Sequence, residues 1–139
     1  MHRLCARFIP VAALLLVVSG CGGDGDTPTT PEPIPDVVDS FSGVLTTSGA
    51  ATHTFKVSRA SQIVAQLVSL TPNSEKTISV SLGTWNGSIC QIVLANDATK
   101  QGDIVPGATQ AAGDFCLRVL DPNGSVTEAQ FYVVLVTHQ

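Results

Sequence analysis

Beyond Ser40 the sequence predicts an all-β domain, and three observations carry that reading. Short runs rich in Val, Ile, Thr and Leu recur along the chain, bounded by clusters of Gly, Pro, Asn, Asp and Ser. Within several runs apolar and polar residues alternate with the period of two that a half-buried strand requires. Past the N-terminus, no stretch of about a dozen residues shows a convincing 3.6-residue helical period. Several short strands with regular turn signals mean a two-layer antiparallel sandwich or a barrel.

About eight strands are expected. They are placed at Ser40 to Thr46, Ala51 to Ser58, Gln62 to Leu70, Thr77 to Thr84, Ile89 to Asn96, Gly102 to Pro106, Asp114 to Asp121 and Ala129 to His138. In the second, His53, Phe55 and Val57 share one face. In the fourth, Ile78, Val80 and Leu82 face one way and Thr77, Ser79 and Ser81 the other, as a sheet with one wet face requires. Phe131 to Val136 is apolar on both parities, which places the last strand centrally in a sheet or under a cover. Turn chemistry falls between the runs, at Ser48-Gly49, Thr71-Pro72-Asn73, Asn86-Gly87, Pro106-Gly107 and Asp121-Pro122-Asn123-Gly124.

The N-terminus has a different character. Arg3 and Arg7 precede an apolar run from Phe8 to Val18, and small residues then lead to Cys21. The run, about 11 residues, is too short for a span, which needs roughly 17 to 25. Val18-Ser19-Gly20-Cys21 resembles the signal ending of bacterial lipoproteins. The resemblance implies a signal helix at 1–20, cleavage before Cys21, and palmitate-type acyl chains on Cys21 that hold the protein to a membrane. At about 0.8 kcal/mol per buried methylene, two or three chains anchor it stably. Gly22 is not the Asp that retains many such proteins at the inner membrane, so the cell envelope is expected, and the outer membrane if the host is Gram-negative.

Residues 21–39 read as a disordered linker, rich in Pro, Gly and Asp, and 40–139 as the sandwich domain. In extended polyproline form the linker reaches roughly 50 Å at about 3.1 Å per residue. Gly23-Asp24-Gly25-Asp26 lacks the further carboxylates of a calcium loop, and no metal or other cofactor is expected. The formal charge is -4. Loss of Arg3 and Arg7 with the signal makes the mature chain more acidic, which argues against nucleic acid as a partner. Asp24, Asp26, Glu32, Asp36 and Asp39 all precede the domain, which is itself nearly neutral. With Cys5 removed and Cys21 lipidated, Cys90 and Cys116 remain as a plausible disulfide pair, worth about 3.5 kcal/mol in the chain-entropy account.

The runs Ser40-Phe41-Ser42-Gly43-Val44-Leu45, His53-Thr54-Phe55-Lys56-Val57, Ala112-Gly113-Asp114-Phe115-Cys116-Leu117-Arg118-Val119 and Phe131-Tyr132-Val133-Val134 resemble the bacterial pre-peptidase C-terminal domain. That resemblance implies a single antiparallel β-sandwich of jelly-roll type, of the kind appended to secreted hydrolases. Family members often carry Asp where Lys76 to Leu82 stands here, and this chain has none there.

Raw material for catalysis is thin. Once the signal is lost, His53 and His138 are the histidines, one at the margin of an apolar face and the other beside the C-terminus. Gly-x-Ser-x-Gly and His-Glu-x-x-His are both absent, and Glu75, Asp97, Asp103, Asp114, Asp121 and Glu128 fall largely in turns. No catalytic residue is assigned and an enzyme is not expected. Trp85, beside the Asn86-Gly87 turn, is the candidate contact for a protein or polysaccharide partner, since aromatic side chains are favoured in binding faces. Together these readings describe an envelope lipoprotein presenting a non-catalytic binding or structural-interaction module. The alternative is an accessory domain acting in trans with a secreted hydrolase such as a peptidase.

Overall fold

The computed structural model describes residues 32–139. The expected signal at 1–20, the lipid acceptor Cys21 and the first part of the linker lie outside the described residues. Eight strands follow in order: β1 (Val37–Leu45), β2 (Ala50–Val57), β3 (Ser61–Thr71), β4 (Ile78–Trp85), β5 (Cys90–Thr99), β6 (Ile104–Thr109), β7 (Gly113–Leu120) and β8 (Gln130–His138). They form two four-stranded sheets, β1-β8-β3-β6 and β2-β7-β4-β5, with every pairing antiparallel. The chain crosses between sheets at every connection except the β4–β5 hairpin. This is the strand order of an eight-stranded jelly roll.

Alternation along the strands builds the core. Leu67, Leu70, Tyr132, Val134 and Val136 from one sheet meet Val80, Leu117 and Val119 from the other, all nearly inaccessible to water. Each fully buried Val, Leu or Ile contributes about 1.5 to 3 kcal/mol over the exposed state. β8 is central, between β1 and β3, which accounts for its two apolar parities. Its outward residues are half-buried or exposed.

Several details depart from the sequence reading. β1 begins at Val37 rather than Ser40, because Val37, Val38 and Asp39 have partners on β8. Asp39, expected in the linker, bonds through Oδ2 to His138 Nε2 at 2.9 Å. His138 is therefore buried and held within β8 rather than frayed. β6 starts after Gly102, whose φ of +95° belongs to the turn in which Asp103 N donates to Lys100 O. Ser79 and Ser81, expected on a wet face, are buried. Ser79 Oγ donates to Asp97 Oδ1 at 2.7 Å, where a bulge bends β5 against β4.

One carboxylate organises the end where two turns meet. Asp121 accepts hydrogen bonds from the amides of Ser48, Ser125 and Val126 and from Ser125 Oγ, at 2.9 to 3.1 Å. Desolvation acts to raise its pKa, but these donors outweigh it and hold the carboxyl below its ordinary value.

Candidate functional site

A two-layer sandwich has two open sides, and here β1 and β2 form one and β5 and β6 the other. Aromatic rings seal the first. Phe41 stacks on His53 with centroids 5.0 Å apart, and Phe55 follows 6.2 Å from Phe41. His53 Nε2 and the Tyr132 hydroxyl are hydrogen-bonded at 2.9 Å, joining the two sheets. Gly43 makes room for this contact, since a Cβ there would lie 2.5 Å from the Tyr132 oxygen. Burial lowers the pKa of His53 and raises that of Tyr132, so both are neutral at neutral pH.

The second side stays open. Between β5 and β6 lies a cleft of about 450 Å³, lined by Ile63, Leu82, Val93, Leu94, Thr109 and Phe115 among others. None of its lining residues is ionisable. Gly107 forms part of the wall, where a Cβ would press to 3.3 Å from Leu82 Cδ1. On β5 the register shifts: Leu82 faces Leu94 and Gly83 faces Ile92, so Val93 is an extra residue. The bulge lets the consecutive Val93 and Leu94 both line the cleft, which strict alternation forbids. Val93 remains 76% exposed.

Both edges are blunted against strand addition. β5 is interrupted a second time, between the partners of Ile78 and Val80, and Pro106 in β6 has no N–H to offer. The opening therefore offers apolar side-chain contact rather than a backbone ladder. Its volume lies within the range of small-molecule pockets and suits an aromatic or branched aliphatic group.

Trp85 is elsewhere. It is half-buried, and it shares a shallow cavity of about 340 Å³ with Thr54, Phe55, Lys56 and Asp114. Lys56 Nζ and Asp114 Oδ1 are 3.2 Å apart there, both largely exposed. Cys90 and Cys116 are bridged, with Cα atoms 5.8 Å apart. His53 and His138 belong to separate contacts. His138 stacks on Phe55 at 5.4 Å, and its Nδ1 is buried without a partner. Neither imidazole is hydrogen-bonded to a Ser, Thr or Cys side chain among the described residues. Val93 and Leu94 escaped the sequence reading as contacts because Ile92-Val93-Leu94 has the appearance of an ordinary buried strand; a run of three apolar residues was the available signal.

No protein-family model matches the chain, and no curated protein matches it. Among solved structures, the fold is similar to that of Aeromonas hydrophila PliG, a periplasmic lysozyme inhibitor of g-type lysozyme. The TM-score is 0.54 at 15% identity, covering 73% of this chain and 86% of that one. At this identity the likeness is one of fold.

Proposed function

We propose that this chain is an envelope lipoprotein, anchored through Cys21, whose sandwich is a non-catalytic module that binds a protein partner at the β5/β6 cleft. The cleft carries the proposal: it combines an uncharged apolar wall with Val93 standing out on a bulge, an arrangement that suits an apolar side chain from another protein. The lipoprotein-like ending at Cys21 and the disulfide, a bond suited to an oxidising compartment, support the location. PliG, similar in fold, is a periplasmic inhibitor of g-type lysozyme, which supports a hydrolase as the class of partner. The resemblance to the pre-peptidase C-terminal domain points to the same class, through the accessory reading.

The test is capture from the envelope by the full chain, together with an activity assay of a g-type lysozyme in its presence. Val93→Asp places a charge on an exposed side chain at the cleft mouth and should weaken capture at least about tenfold, the loss of one well-packed apolar contact. Capture that is equal for wild type and Val93→Asp would remove the cleft from the proposal. Lysozyme activity unaffected by the wild-type chain would remove that enzyme as the partner.

A further inference from the structure

We infer that the outer face of the β1-β8-β3-β6 sheet is a self-association surface, which takes the same face of a second copy of this chain. Tyr132, Val134 and Val136 of β8 point into the core, so Phe131, Val133 and Leu135 point outward. Beside them by register stand Val44, Ser42 and Ser40 on β1, and Thr71, Ser69 and Gln66 on β3. Ile104 of β6 lies opposite Gln66. Phe131 is 60% exposed and Ile104 52%.

No Asp, Glu, Lys or Arg occupies an outward position on these four strands. Asp39 is the one such residue in their sequences, and it turns inward to His138. At 13% charged residues, roughly two would fall on this face by composition alone, and charges favour surfaces. The other sheet does carry them outward, at Lys56, Asp114 and Arg118. Loss of charge together with an exposed aromatic is the compositional mark of an interface centre.

The occupant follows from area and charge. Strands spaced about 4.8 Å apart and six to eleven residues long, at about 3.4 Å per residue, give a face of roughly 500 to 600 Å². Two such faces bury about 1,000 Å², where specific interfaces begin. Uncharged sheet faces with an apolar central row can pack on one another about 10 Å apart. A second copy brings an equally uncharged face that matches this one in area and chemistry, whereas an anionic membrane is drawn through Lys and Arg, which this face does not provide.

The test uses the full chain in the cells that make it. A photoreactive benzophenone side chain placed at Ser42, exposed on β1 opposite Val133, is irradiated in situ. An adduct of twice the chain mass, with peptides from this chain alone, is expected. An adduct with a different protein or with lipid overturns the inference, as does no adduct. Val133→Lys should reduce the adduct at least tenfold, and co-expression of Val133→Lys with Val133→Glu should restore it. Protease resistance confirms that both variants are folded; an undiminished adduct with Val133→Lys, or no restoration by the mixed pair, overturns the inference.

Discussion

Cys90 and Cys116 join two strands that are not neighbours. β5 and β7 flank β4, so the bridge passes across β4 near Gly83, the register partner of Cys116 on one side and of Ile92 on the other. A Cβ on Gly83 would collide with the carbonyl oxygen of Gln91. The missing side chain is what lets β5 lie so close. Gly83→Ala should therefore destabilise the oxidised protein by about 1 to 3 kcal/mol, the usual cost of overpacking. Serine at both cysteines should cost about 2 to 4 kcal/mol. Urea unfolding measures both, and a change under 0.5 kcal/mol in either variant, the ordinary range for a surface substitution, would contradict the geometry.

Asp121 ties stability to acid. Its pKa is lower folded than unfolded, so its contribution is present above the ordinary carboxylate value of 3.8 and is lost as pH falls through the lower folded value. Asp121→Ala leaves three backbone amides without their acceptor and should cost about 3 kcal/mol at pH 7. Chemical unfolding from pH 7 to pH 2 should show the variant losing less on acidification than the wild type. Parallel acid limbs would show that another group governs the acid loss.

His53 acts in a higher window. Its folded pKa is depressed by burial below 6.5, so the unfolded chain binds the proton more readily, and stability falls as pH drops through 6.5 toward the folded value. His53→Gln should flatten this slope between pH 7.5 and 5. The urea midpoint at four or five pH values decides it, with an unchanged slope assigning the effect to another residue.

Trp85 reports on its own surroundings, being the chain's one tryptophan. A half-buried indole beside Lys56 and Asp114 should emit between the extremes of core and water and be partly quenched by iodide. Trp85→Ala should leave capture at the cleft within about twofold of wild type, since Trp85 is not among the residues that line the cleft. A larger loss would bring Trp85 into the binding surface.

Cys21→Ser should abolish lipid attachment and leave an uncleaved precursor. Incorporation of radiolabelled fatty acid, compared with wild type, reads this directly. Equal labelling of the two proteins would mean that the chain is acylated elsewhere or not through this motif.

The eight strands were legible because β-branched runs and Gly, Pro and Asn turns are local signals. The beginning of β1 was not. Asp36-Val37-Val38-Asp39 looks like the end of a polar tether until Asp39 meets His138, which is 99 positions away. Burial of Ser79 likewise depends on Asp97 and a bulge in the neighbouring strand. The cleft was least legible of all. It draws on β3, β4, β5, β6 and β7, and on Val93 being an insertion, whereas alternation alone puts Val93 and Leu94 on opposite faces. Trp85 drew notice through its residue type, which says nothing about which side of a sheet stays open.

The pairing of Val37 with His138 has a geometric outcome. The folded domain begins and ends at the same place, on the β1 margin of its sheet, and Gln139 Nε2 reaches back to Asp36 Oδ1 at 3.0 Å. β6 is the opposite margin of that sheet, and the cleft opens beside it. Anything fused to Gln139 would emerge beside Asp36 and Val37 at that margin and leave the mouth of the cleft clear.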